Sequence, residues 1–139
     1  MRTVSVANDA LLSEVARMLS KGKDIVLRTK GNSMLPFVVG GKDSVVLRQK
    51  ETYTVGDIVL AEVAPGKFVL HRVIKTDGER ITLMGDGNLY GTESCLPKDI
   101  CGHAVAIVRN GKHRKIGRGR LWQMLLPVRK YLLAIYRRL

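Results

Sequence analysis

Short runs rich in β-branched residues, each stopped by a turn signal, constrain the fold of this chain more than any other feature. Six runs stand out, at residues 24–29, 44–48, 57–63, 68–75, 80–85 and 103–109. Val, Ile and Thr suit a pleated, half-buried surface, so these runs predict strands. Between them lie Thr54-Val55-Gly56-Asp57, Ala64-Pro65-Gly66-Lys67, Thr76-Asp77-Gly78-Glu79 and Asn110-Gly111. Asp-Gly and Asn-Gly supply the positive φ angles that tight hairpins need. Closely spaced strands joined by hairpins predict a mostly β fold, an antiparallel β sandwich or a partly open barrel.

Helical periodicity occurs at both ends. Asn8 or Asp9 can cap a helix in which Leu11, Leu12, Val15, Met18 and Leu19 share one face, and Lys21-Gly22-Lys23 ends it. Past Ile116, Gly117-Arg118-Gly119-Arg120 reads as a hinge, and residues 121–139 as a basic amphipathic helix interrupted by Pro127. The expected organisation is therefore a β domain with its N-terminal helix over 1–116 and a helical tail over 117–139.

Charge follows the same division. The net charge is +12, yet residues 1–111 are nearly balanced, while 112–139 carry nine Lys or Arg and no acid. Basicity thus belongs to the tail. One reading is a helix docked on the domain with a solvated basic edge. The other is peripheral contact with anionic lipid through residues 121–139, with Trp122, Tyr131 and Tyr136 near the headgroups. Nucleic acid is less favoured, because no recognised binding motif accompanies the charge. No run of 18 apolar residues predicts a membrane span, and the N-terminus lacks the pattern of a secretory signal. The expected location is cytoplasmic or peripheral to the membrane. Cys95 and Cys101 match no common zinc or redox spacing and read as packed thiols, bridged only outside a reducing compartment. No metal or cofactor is expected.

Three short motifs can carry chemistry. Lys30-Gly31-Asn32-Ser33-Met34-Leu35-Pro36 follows a predicted strand and places a serine among turn-forming residues. Serine is a weak nucleophile unless a base and oxyanion donors adjoin it. Met34, Leu35 and Pro36 follow it, and Met34 and Leu35 can floor a site for small apolar side chains. His71 lies within a predicted strand and can act as a base at neutral pH. Its neighbour Arg72 is costly to bury without a partner. If Asp77-Gly78 form a two-residue turn, His71 faces Met84. Asp86, in Gly85-Asp86-Gly87-Asn88, then falls diagonally on the face of His71, where a carboxylate would hold the imidazole.

Gly31-Asn32-Ser33-Met34-Leu35-Pro36, Gly56-Asp57-Ile58-Val59-Leu60, His71-Arg72-Val73 and Gly85-Asp86-Gly87-Asn88 resemble the ordered boxes of the type I signal peptidase and LexA-like serine peptidases. Ile100-Cys101-Gly102-His103-Ala104-Val105 resembles the closing strand of that family. A histidine where the base is expected is similar to the Ser-His branch, that of the archaeal and endoplasmic-reticulum signal peptidases. The resemblance implies Ser33 as nucleophile, His71 as general base, and Asp86 as orienting acid, with Asp99 the other candidate. Gly31, Asn32 and Asn88 would support the site. It further implies a serine endopeptidase acting on a signal-like or leader peptide. The alternatives are an inactive peptide-binding module of the same fold, or a membrane- or nucleic-acid-binding protein acting through its basic tail.

Overall fold

The computed structural model describes residues 2–5, 9–29, 34, 38, 42–87, 91–116 and 133. Among these residues nine strands form one largely antiparallel sheet: β1 (Arg2–Ser5), β2 (Ile25–Arg28), β3 (Ser44–Arg48), β4 (Ile58–Ala64), β5 (Lys67–Thr76), β6 (Ile81–Met84), β7 (Glu93–Cys95), β8 (Ile100–Arg109) and β9 (Lys112–Arg114). Their order is β1-β2-β3-β8-β4-β5-β6-β7, with β9 on β8. The sheet is not closed, which matches the partly open form expected.

The N-terminal helix, α1 (Asp9–Ser20), was anticipated; its role as a crossover was not. β1 pairs with β2 in parallel, Arg2 to Ile25 through Ser5 to Arg28. A parallel pair needs a long connection between its strands, and α1 is that connection. Val15 and Leu19 are fully buried against Ile25, Leu47, Ile58 and Leu60. Each such side chain contributes roughly 1.5–3 kcal/mol of burial. The helix stops where Lys21 and Gly22 donate their amides to the carbonyls of Met18 and Leu19, at 3.1 and 3.0 Å. Gly22 has φ +80°, the left-handed cap geometry that a Cβ disfavours.

Helix α1 covers one face. On the other, Val59, Ala61, Val73, Ile81, Leu83, Cys95 and Ile100 form a second cluster. There the sheet curls: β7 and the short 3-10 turn Pro97–Asp99 pack against β4. Every expected strand is present. The Asn110-Gly111 hairpin has φ of +53° and +74° and pairs Arg109 with Lys112, the two-residue geometry its sequence calls for. Of the C-terminal helix expected over 121–139, Leu133 alone is described; it is helical and 1% exposed.

Candidate functional site

The segment that carries the serine box is anchored where it leaves and re-enters the sheet. Thr29, after β2, donates both its amide (3.0 Å) and its hydroxyl (2.7 Å) to the carbonyl of Asp43, before β3. Within it, the amide of Val38 donates to the carbonyl of Met34 at 3.0 Å. Both side chains are buried in the core under α1.

His71 sits midway along β5, opposite Val59 of β4. It lies between Val69 and Val73, residues of the face that β7 folds over. It is 6% exposed. Its Nδ1 is hydrogen-bonded to Oε1 of Glu93, the first residue of β7. β6 lies between β5 and β7, and Glu93 pairs with Leu83. The last β5–β6 pair on this side is Arg72 with Met84, so the same register carried one step further sets Gly85 opposite His71. A glycine leaves that step of the sheet without a side chain, and the Glu93 carboxylate reaches the imidazole there. A carboxylate only accepts, so Nδ1 donates to Glu93, and in the neutral ring Nε2 is then the acceptor.

The register differs from the one the sequence suggested. Asp77-Gly78 is not a two-residue turn: Thr76 pairs with Ile81, leaving a four-residue loop. Its Asp77 carboxylate accepts the amides of Glu79 and Arg80 at 3.0 and 2.8 Å. These local bonds compete well with a tight turn. The longer loop moves the register by two residues. A bulge between Val73 and Lys75, with Ile74 as the extra residue, returns one. The net shift of one residue changes every face. Arg72, not His71, therefore faces Met84, and Asp86 meets Arg72.

That meeting is a buried ion pair. Arg72 is 1% exposed and Asp86 fully buried. Nε of Arg72 donates to both carboxylate oxygens (2.9 and 3.1 Å), and Nη2 to Oδ2 (2.7 Å). Nη1 donates to the carbonyl of Gly56 at 2.8 Å. The bidentate geometry suits a guanidinium removed from water. The amide of Asp86 donates to Sδ of Met34 at 3.4 Å. One network thus joins the motifs around Met34, Gly56, Arg72 and Asp86, beside His71 on the chain.

Asp99, the other acid considered for His71, accepts the amide of Leu96 at 2.9 Å, which closes the 3-10 turn. Met34 is 4% exposed. Gly31, Asn32, Ser33, Leu35, Pro36 and Asn88 lie outside the described residues. Sequence reasoning missed Glu93, because β7 is only three residues long and its Glu-Ser-Cys sequence has no β-branched residue. Its one available signal was the need of a buried histidine for a carboxylate. Cys95 and Cys101 are free thiols, and burial pushes each up to about 11. Among the described residues no group of His, Cys, Asp and Glu could hold a metal ion. Nor is any described helix long and apolar enough to cross a membrane.

Residues 4–107 match the family model Peptidase S24-like. The LexA repressor of Bartonella quintana (strain Toulouse) is 28% identical over 96 residues, covering 68% of this chain. The match spans 40% of that repressor's length.

Proposed function

Because this chain belongs to the Peptidase S24-like family, we propose that it is a serine endopeptidase with Ser33 as nucleophile, His71 as general base and Glu93 as the residue that orients the base. The observation that carries this reading is the buried His71 ring, held through Nδ1 by Glu93. A carboxylate on Nδ1 selects the tautomer whose Nε2 can take a proton, and it stabilises the imidazolium that forms. The Met34–Asp86 contact supports it too, since Met34 directly follows Ser33 in the chain and Arg72, the partner of Asp86, directly follows His71.

In this mechanism Nε2 of His71 takes the Ser33 hydroxyl proton as Oγ attacks the scissile carbonyl. The tetrahedral intermediate collapses to an acyl-enzyme, and the imidazolium returns the proton to the leaving amine. Water, activated by His71, then hydrolyses the ester. The substrate is an extended segment of a signal-like or leader peptide, with small side chains near the cut. Such a segment can add to a sheet edge, and among the described residues β6 pairs with β5 only from Arg72 to Thr76, on the far side of His71. The Arg72–Asp86 pair holds the frame on which these groups stand.

A serine-directed acylating inhibitor tests this directly. Peptide mapping by mass spectrometry should place the adduct on Ser33, and His71→Ala should slow its formation. An unlabelled Ser33 in folded protein, with cleavage persisting, would sink the mechanism.

A further inference from the structure

The end of the sheet from which the serine segment leaves is also its basic end. The register ties four strands into one row there: Arg28 of β2 to Ser44 of β3, Ser44 to Val108 of β8, and Val108 to His113 of β9. Residues 29–43 leave and return at this row. Arg28 and Lys42 are exposed beside it, as are Lys112, His113, Arg114 and Lys115 along β9 and just after it. Asp43, the acid at this corner, is fully buried and takes two bonds from Arg109, at 2.8 and 2.7 Å. It does not neutralise the ribbon. The side chains of Lys112, Arg114 and Lys115 make no hydrogen bond or ion pair among the described residues, and no acid follows them to Leu139.

We propose that this β8–β9 ribbon is an electrostatic contact for an anionic lipid surface, one that sets the serine segment's end of the sheet toward the membrane. The ribbon is a hairpin with every β9 residue exposed, suited to an array of headgroups. The chain beyond it continues as a basic segment with Trp122, Tyr131 and Tyr136 and many leucines, a composition that belongs at a lipid interface. β9 carries no Phe, Tyr or Trp, the broad ring faces on which single-stranded nucleic acid stacks best. Because Leu133 is buried, the contact falls to the ribbon's charges more than to a fully inserted tail. Each Lys or Arg near an anionic surface adds a comparable increment of affinity, and salt screens it.

Co-sedimentation of the full chain with lipid vesicles tests this. It should bind phosphatidylcholine–phosphatidylserine vesicles, release them as salt rises, and ignore phosphatidylcholine alone. The K112E/R114E/K115E variant should bind on the order of 100-fold more weakly, while cleaving a soluble peptide as the wild type does. A K112A/R114A/K115A variant, with its fold checked by thermal melting, should give an intermediate loss. Undiminished binding by both variants, equal binding to neutral vesicles, or capture of RNA or an acidic peptide in preference to vesicles would each overturn it. Such a failure would leave the peptidase reading standing, because cleavage of a soluble peptide is read separately.

Discussion

Glu93 reaches His71 from two strands away, past the point where the intervening strand ends. In the proposed mechanism this geometry gives Glu93 the role of positioning His71. Glu93→Gln keeps the side chain's shape and removes its charge. It should lower kcat for peptide cleavage by roughly 100- to 10,000-fold, with little change in KM. The Glu93 side chain is 30% exposed, so the melting temperature should move little. A kcat close to wild type would remove Glu93 from the mechanism.

The Arg72–Asp86 pair predicts a different phenotype. Asp86→Ala leaves a guanidinium buried without its partner, a change that costs about 3–5 kcal/mol. Urea denaturation should show this loss. The double variant Arg72→Met/Asp86→Ala should recover part of it, because no buried charge remains. A single variant as stable as the wild type would mean that water reaches the pair.

How far these roles could be read from the sequence depended on how local their causes were. Helix α1 and the Asn110-Gly111 hairpin follow from nearby residues, through a 3.6-residue apolar period and a dipeptide suited to positive φ. The burial of Arg72 implied a partner for the same kind of reason. β1 and β7 are short, and neighbours distant in the chain hold them. Nothing in Phe68 to Thr76 marks Ile74 as a bulge, yet that one residue decides whether His71 or Arg72 faces Met84. The motif positions were therefore legible while the pairing of carboxylates with bases was not. Asp86 lay two residues from Met84, as reasoned, but on the face of the arginine.

His103 gives the fold an acid-side dependence. Burial of its ring lowers its proton affinity below the usual histidine value, against the opposing bond from its Nδ1 to the Arg48 carbonyl. The unfolded chain then binds a proton near pH 6.5 while the folded protein does not. The stability that His103 contributes is present above about pH 6.5 and is lost as pH falls through its folded value. His103→Gln should flatten the stability profile in that window; an unchanged slope would assign the dependence elsewhere.

The cysteines give the opposite sign at alkaline pH. Each thiol is pushed up to about 11 by burial, from an ordinary value of 9.0. The unfolded chain loses these protons first, so the stability they lend is present below pH 9 and falls between about 9 and 11. At pH 8 a thiol-specific reagent should modify both slowly in the folded protein and rapidly in urea. Fast labelling of Cys95 without unfolding would contradict its burial.

The proposed mechanism needs Ser33 and His71 to act together, and the most direct measurement of this is peptide-bond cleavage by purified wild type, Ser33→Ala, His71→Ala and the double variant. Either single substitution should abolish cleavage to the same residual level, and the double variant should be no worse, because the two groups act as one unit. Cleavage by Ser33→Ala at the wild-type rate would contradict it.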